Sequence, residues 1–590
     1  MKQYNSKDDH IDELLIKYAS LTDPKSFFLN AGAGAGKTRS LVNLLNNILL
    51  ENGEYFKITN KKIAVITYTK VASEEIISRV KENSIFEIST IHSYAWKAIQ
   101  GFNGNIKEIL MKFLKLEIES VNQGKARDKQ EKLQLLNNKL NEINTKTSFK
   151  YSPESTIGEK GSLTHSEVLK IFAYLLNTNS LFRNLISTKY PIILIDESQD
   201  TNKNILDSFL ILNETNNICL GLFGDLMQRV YLDGKADLIT ALKGLEKPEK
   251  KVNWRSYGRI VKFTNNLRKN IDSLQQEVSH EERETQGLLK IYLADNKNDR
   301  IQVETEISEI VEKEVIKTGL DKIYSPYTLV LEHRLAAERN GFLELYDALK
   351  SSNDTNSSLI EGESKEHSFF KYIVIPIFHA WKENDDLKLH LILKEHSHRF
   401  DELENLNIDS YEVLKNLGTD YKEFLDSFKK NLTIGEVLEA LVKANLFDLP
   451  KKFIKDYEGD TGWKAALEVN FNELVNFYNY TNGLANIVTQ QGSKGLEYDH
   501  VKVIIDDYNA KGKLFSYEKL FGVKEKTKTD ISNENEGKDT SLNKTNRLFY
   551  VACSRAIKSL ILVVYTENPD KVKDFFINNS FASKDEIKVI

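Results

Sequence analysis

The sequence predicts an α/β fold of largely parallel sheets flanked by helices, interrupted twice by long, mostly helical stretches. Three observations predict it. Short apolar runs end abruptly in polar or charged residues, as in Ile63-Ala64-Val65-Ile66-Thr67, Pro191-Ile192-Ile193-Leu194-Ile195 and Ile218-Cys219-Leu220-Gly221-Leu222-Phe223. Such runs read as strands buried on both faces. Helical patterns alternate with them, which is the signature of βα units. Between about 101 and 164, and again between about 346 and 475, the alternation gives way to helix formers rich in charge.

The first 25 residues read as a polar lead-in with one helical patch around Ile11, Leu14, Leu15 and Tyr18. A strand at Phe27-Phe28-Leu29 then runs into Ala31-Gly32-Ala33-Gly34-Ala35-Gly36-Lys37-Thr38, and a helix follows with Leu41, Leu44, Leu45 and Ile48 on one face. Strand, glycine-rich loop and helix in that order form a phosphate-binding loop. Glycines let backbone N–H groups converge on phosphate oxygens, and the helix adds its positive end. Lys37 would reach the β- and γ-phosphates and Thr38 would hold Mg²⁺. The loop opens on Ala31 where the motif has glycine.

The strand 63–67 leads through Tyr68-Thr69-Lys70 into a helix carrying Val71, Ile76, Ile77 and Val80, and then to Ser89-Thr90-Ile91-His92-Ser93. After the first helical stretch and a looser Ser/Gly segment at 152–162, Thr164 is placed to cap a helix. The strand 191–195 runs straight into Asp196-Glu197-Ser198-Gln199-Asp200. Acids at the carboxyl end of a buried parallel strand lie where α/β sheets bind ligands. With a phosphate-binding loop in the same chain, Asp196 would be the Mg²⁺-associated acid and Glu197 would position the attacking water. The strand 218–223 leads to Gly224-Asp225-Leu226-Met227-Gln228, where Gln228 could sense the γ-phosphate. Asn253-Trp254-Arg255-Ser256 sets an arginine beside an aromatic, able to pair with phosphate and stack on a base.

Strand-like runs at 288–293 and 327–331 begin a second α/β region, and the loop 351–358 marks a boundary. The helical stretch that follows carries His396 and His398 without metal-ligand spacing, so solvated histidines are expected there. The α/β pattern returns at 485–489 and 501–505, followed by a polar excursion from about 508 to 545 that reads as a surface insertion or loop. Arg555, in Arg547-Leu548-Phe549-Tyr550-Val551-Ala552-Cys553-Ser554-Arg555-Ala556, is an arginine-finger candidate ahead of a closing strand at 560–565.

The 590 residues exceed one core, so several domains are expected. Hydrophobic residues at 41% and charged residues at 28% fit a globular protein. No apolar run is long enough to span a membrane, and the amino-terminal residues carry no apolar signal core. The two cysteines, Cys219 and Cys553, give neither a disulfide framework nor a zinc cluster, and a cytoplasmic protein is expected. A net charge of −5 argues against a generally basic nucleic-acid coat while leaving room for a narrow basic channel.

Taken together and in this order, these motifs resemble those of the UvrD/Rep/PcrA-like superfamily 1 DNA helicases along nearly the whole chain. The resemblance implies two RecA-like motor domains with ATP and Mg²⁺ in the cleft between them. Residues 1–100 and 165–252 would form the first and 253–345 and 476–590 the second, with insertions at 101–164 and 346–475. It implies nucleotide contacts by Ala33, Gly34, Ala35, Gly36, Lys37, Thr38 and Arg39, with Asp196 as Mg²⁺ acid, Glu197 as catalytic base and Gln228 as nucleotide-state sensor. Arg255 and Arg555 would meet the γ-phosphate, Trp254 would stack on adenine in place of the family's tyrosine, and Glu497 would lie near the ribose. Thr67, Thr69, Lys70, Thr90, His92, Tyr231, Thr489 and Lys494 fall in motifs that face single-stranded DNA or couple it to ATP.

The chain departs from the family in four places. No glutamine upstream of the loop stands ready to read adenine, Leu232 replaces a base-stacking aromatic after Tyr231, Gln491 stands for a histidine, and the second insertion is short. No nuclease motif follows Arg555, so a fused nuclease is not expected. Divergent members of this family serve prokaryotic anti-phage systems such as Gabija beside an OLD-type nuclease partner. The resemblance therefore implies an ATP-dependent 3′→5′ DNA helicase or translocase acting on single-stranded DNA or a single-strand/duplex junction. The rival reading is a DNA-sensing ATPase that regulates a partner nuclease with little unwinding of its own.

Overall fold

The computed structural model describes residues 7–124, 129–151, 162–230, 234, 238–269, 271–272, 274–322, 324–351, 365–398, 418–447, 461–510 and 514–590. It divides into two compact units: Met1–Ser325 with Ser493–Asp507 and Lys513–Ile590, and Pro326–Gly492 with Tyr508–Gly512.

In the first unit, a six-stranded parallel sheet is built from β1 (Phe27–Ala31), β2 (Ile63–Thr67), β3 (Phe86–Thr90), β4 (Ile192–Ile195), β5 (Cys219–Gly224) and β6 (Glu249–Lys250), in the order β3-β2-β4-β5-β1-β6. Successive strand residues enter opposite cores. Phe27, Leu29, Ile63, Val65, Ile192 and Leu194 join Leu41, Leu45 and Ile48 of the helix Lys37–Thr59. Phe28, Ala64, Ile66, Ile193 and Ile195 join Tyr94, Phe172 and Phe209 on the other face. Both faces are covered, which is why these strands read as unbroken apolar runs. The helices Asn103–Gln123 and Lys129–Thr145 of the first inserted stretch contribute Ile106, Ile109, Leu110 and Ile143 to that second core. Thr164 caps the helix His165–Thr178 in a reciprocal box with Glu167, as its position predicts.

A short parallel pair, β7 (Val252–Asn253) and β8 (Glu277–Val278), precedes the second sheet of this unit. There β9 (Leu288–Asp295) pairs in parallel with the long β13 (Ala556–Thr566), which in turn pairs with β12 (Tyr498–Asp506). The expected closing strand at 560–565 is therefore an interior one. A helix, Pro569–Asn578, follows it, and β14 (Ile587–Val589) adds on the far side of β9.

The excursion at 508–545 is not a simple loop. Among its described residues are helices Tyr517–Leu520 and Lys528–Asn535 and the start of the helix Ser541–Cys553. They are pinned by Asp530, which accepts hydrogen bonds from the Thr527 amide and hydroxyl, the Ser541 amide and Lys519 Nζ at 2.6–3.1 Å. Val71, expected on an apolar helix face, is 74% exposed, whereas Ile76 and Val80 are buried.

The second unit pairs β10 (Tyr327–Val330) with β11 (Ile487–Thr489) in parallel. Its helices pack around Phe370, Phe378, Trp463, Phe471 and Tyr478. A π-turn at Phe370–Val374 runs into the helix Ile375–Glu383, where Pro376 offers no amide hydrogen to the preceding turn. Among the described residues, no helix is long and apolar enough to cross a membrane and no His/Cys/Asp/Glu cluster could hold a metal. Cys219 in β5 and Cys553 are both free and buried.

Candidate functional site

The phosphate-binding loop leaves β1 and enters the helix at Lys37. Gly34 and Gly36 hold φ of +71° and +79°, in the left-handed region that favours glycine. At Gly34 a second constraint applies, because a Cβ there would come within 2.6 Å of Arg255 Cβ. The loop is held from outside by Asn253 Nδ2 and Gln276 Nε2, each donating to Ala33 O at 3.0 Å, and by the Trp254 amide donating to Gly34 O at 2.9 Å. Asn253 Oδ1 accepts the Arg255 and Ser256 amides, both at 2.9 Å, so one side chain fixes the Asn-Trp-Arg-Ser turn against the loop.

Around this loop lies a cavity of about 370 Å³ lined by its own residues 32–38 together with Arg39, Glu197, Gln228, Trp254, Arg255, Glu497 and Arg555. Nearly all the residues expected to handle nucleotide thus meet in one place. Glu75 and Arg79 also line it, paired at 2.5 Å on the helix Lys70–Val80. Neither was singled out from the sequence, where a Glu and an Arg four residues apart on a helix carry no signal of a site. Arg39 stands over the Trp254 ring at 5.9 Å, an arrangement suited to stacking a flat base. Arg255 Nε donates to Glu497 at 2.7 Å and its Nη1 to Ser554 O at 3.0 Å. Arg555, 1% exposed, donates to Leu496 O at 3.1 Å and to Gln228 Oε1 at 3.4 Å.

The acids at the end of β4 divide their roles by environment. Burial and the neighbouring Glu197 charge push the Asp196 carboxyl up from its ordinary range. Burial would push Glu197 up as well, but the Lys494 and Lys37 charges outweigh it and hold that carboxyl down. Glu197 also holds a left-handed backbone, φ +50°, unusual for a residue with a Cβ. Gln199 Nε2 donates to Glu197, and its Oε1 accepts the Asp225 amide at 3.2 Å, tying the ends of β4 and β5 together.

Lys494, expected among the residues facing or coupling DNA, has its amine against Asp200 and 3.2 Å from Glu197. Thr69 and Thr90 cap helices, accepting the Ala72 amide at 3.2 Å and the Ser93 amide at 3.4 Å. Thr67 donates to Thr69 O, and Lys70 is exposed at the helix start. His92 packs edge-on against His165 with centroids 4.7 Å apart. In the second unit, Thr489 accepts the Gly492 amide at 3.0 Å. Tyr231 lies outside the described residues.

The donor set fits a magnesium nucleoside triphosphate. Left-handed glycines, Lys37 and two arginines could hold a polyanion and Trp254 could stack on a base, while Thr38 in the cavity wall and Asp196 beside Glu197 carry the hard oxygens that Mg²⁺ takes. Residues 17–157 and 117–248 match the family described as UvrD/REP helicase N-terminal domain. The Gabija protein GajB of Bacillus cereus (strain HuB5-5) is 25% identical over 95% of this chain and 95% of its own length. The RecBCD enzyme subunit RecB of Buchnera aphidicola subsp. Schizaphis graminum is 25% identical over 67% of this chain and 39% of its own. The ATP-dependent DNA helicase Rep of the same organism is 27% identical over 40% of this chain and 41% of its own.

Proposed function

We propose that the chain, whose residues 17–157 and 117–248 match the UvrD/REP helicase N-terminal domain, is an ATP-hydrolysing enzyme of the helicase class that moves 3′→5′ along single-stranded DNA and separates duplexes. The observation that carries this reading is the convergence of Lys37, Glu197, Gln228, Arg255 and Arg555 on one cavity beside the glycine-rich loop. Glu197, held ionised by its lysine neighbours, accepts the proton of a water attacking the γ-phosphate. Lys37, Arg255 and Arg555 neutralise charge on the phosphoryl group as ADP leaves. Thr38 and Asp196 would hold Mg²⁺, which supplies further neutralisation at the phosphate oxygens. Thr67, Thr69, Lys70, Thr90, His92, Tyr231, Thr489 and Lys494 are the residues we assign to the strand or to its coupling with ATP.

The second reading, a DNA-sensing ATPase controlling an OLD-type nuclease partner in anti-phage defence, is favoured by the likeness to a Gabija protein over nearly the full length. One experiment separates the readings. ATP hydrolysis is measured with and without single-stranded DNA, beside displacement of a long duplex. The helicase reading expects DNA-stimulated turnover and strand displacement, and the sensor reading expects turnover without displacement. Glu197→Gln lowers turnover by about a hundredfold or more, and Lys37→Ala removes it, with circular dichroism unchanged in both. Turnover retained in the double variant refutes the assignment of the cavity.

A further inference from the structure

Adjoining the cavity is a buried polar cluster centred on Asp225, the residue after β5, which is 0% exposed. Its Oδ1 accepts the Met227 amide at 3.1 Å and Arg268 Nη2 at 3.2 Å. Its Oδ2 accepts Gln228 Nε2 at 2.8 Å and the Tyr550 hydroxyl at 3.2 Å. Arg268 ends the helix Gly258–Arg268 and is also 0% exposed. It donates from Nε and Nη2 to Asp272 at 2.8 and 2.6 Å, and from Nη1 to Tyr550 Oη at 2.9 Å. The Ala33 amide of the phosphate-binding loop donates to that same phenol oxygen at 3.3 Å. With two donors on its oxygen, the phenol spends its own hydrogen on Asp225.

This wiring fixes the direction of one amide. Gln228 Nε2 is committed to Asp225, so Oε1 faces Arg555 on the cavity side. Turned the other way, the amide would set its oxygen against a carboxylate oxygen and its NH₂ against a guanidinium. The outward group is therefore a carbonyl, an acceptor suited to a water or to Arg555 and unable to donate to phosphate. A buried carboxylate with only neutral donors is costly, and the Arg268 charge is what stabilises Asp225 in place.

We propose that Arg268 and Tyr550 are positioning residues for ATP hydrolysis. Acting through Asp225, they hold the Gln228 carbonyl toward the cavity, and through the Ala33 amide they tie that orientation to the phosphate-binding loop. The proposal rests on the reading of the cavity as an ATP site. It assigns the pair to recognition of the triphosphate during turnover, not to holding the nucleotide as such.

The test uses the full chain with single-stranded DNA. Tyr550→Phe keeps the ring that stacks 5.3 Å from the Arg268 guanidinium and deletes only the hydroxyl. Arg268→Met removes the charge, and Arg268→Lys restores it. Tyr550→Phe and Arg268→Met are expected to lower kcat by about tenfold or more while affinity for a fluorescent ADP stays within about twofold. Preference for a non-hydrolysable triphosphate over ADP shrinks in both, and Arg268→Lys recovers part of kcat. Tyr550→Phe with unchanged kcat and unchanged preference overturns the proposal. So does a loss of kcat matched by an equal loss of ADP affinity, which marks a collapsed site. Should Arg268→Met fail to fold, Tyr550→Phe decides alone. An unmodified chain that neither binds nor hydrolyses ATP refutes the cavity reading and this proposal together, whereas an active parent beside an unaffected Tyr550→Phe refutes only the proposal.

Discussion

The Trp254 indole faces Arg39 rather than a side-chain amide able to read a base edge. Stacking does not distinguish one purine from another, and base–aromatic stacking contributes about 1–3 kcal/mol. Trp254→Ala is therefore expected to raise KM about 5- to 150-fold with kcat little changed, and to do so equally for ATP and GTP. Steady-state kinetics with both nucleotides check this, and a selective loss for ATP would reveal an edge reader elsewhere. The strand, glycine-rich loop and helix at 27–59 were legible because the signal is local: left-handed glycines, lysine and threonine follow one another. The Asp225–Arg268 pair was not legible. Its members lie 43 positions apart, and an arginine in the last turn of a helix usually faces water and complements the dipole. Only the fold shows that this one is buried.

The strands of the first sheet were legible as elements because burial on both faces leaves no polar alternation to confuse the pattern. The segment 508–545 reads as a surface insertion or loop, and residues 524–538 are indeed mostly exposed. Its short helices were not legible, because they are held by a few polar residues that satisfy one another around Asp530 and not by an apolar face. Burial alone would raise the Asp530 pKa, but hydrogen bonds from Thr527, Lys519 and Ser541 overcome that and hold it well below the ordinary carboxylate range. A carboxyl depressed in the folded chain stabilises above its unfolded value, near 3.9, and loses that contribution as pH falls through its folded value. Asp530→Ala is expected to loosen this segment by about 1–3 kcal/mol at neutral pH, with the penalty shrinking as the solution is acidified below about pH 4. Amide hydrogen exchange across 516–541 reads this locally, which matters because a multidomain chain need not unfold in one step. A penalty that does not depend on pH would locate the effect in packing instead.

Across the whole molecule, motif order carried more information than any single motif. Neither Gln228 nor Arg555 is informative in isolation, yet both line the cavity with Lys37 and Glu197. What order does not convey is how far the polar groups behind that cavity are wired to one another, since such wiring depends on contacts between distant parts of the chain.

The two cysteines have a practical corollary. Cys219 is fully enclosed, with burial pushing its thiol up to about 12, and Cys553 is equally enclosed and pushed well upward. Near neutral pH neither presents a thiolate to solvent, and the thiolate is the reactive form. The natural sequence is thus already a silent background for maleimide chemistry. A single cysteine introduced at an open position, such as Leu181 at 67% exposure, would be the one site that takes a dye or spin label while the chain stays folded. Pairs of such sites would let conformational cycling be followed optically, in a protein otherwise unaltered, from one nucleotide state to the next.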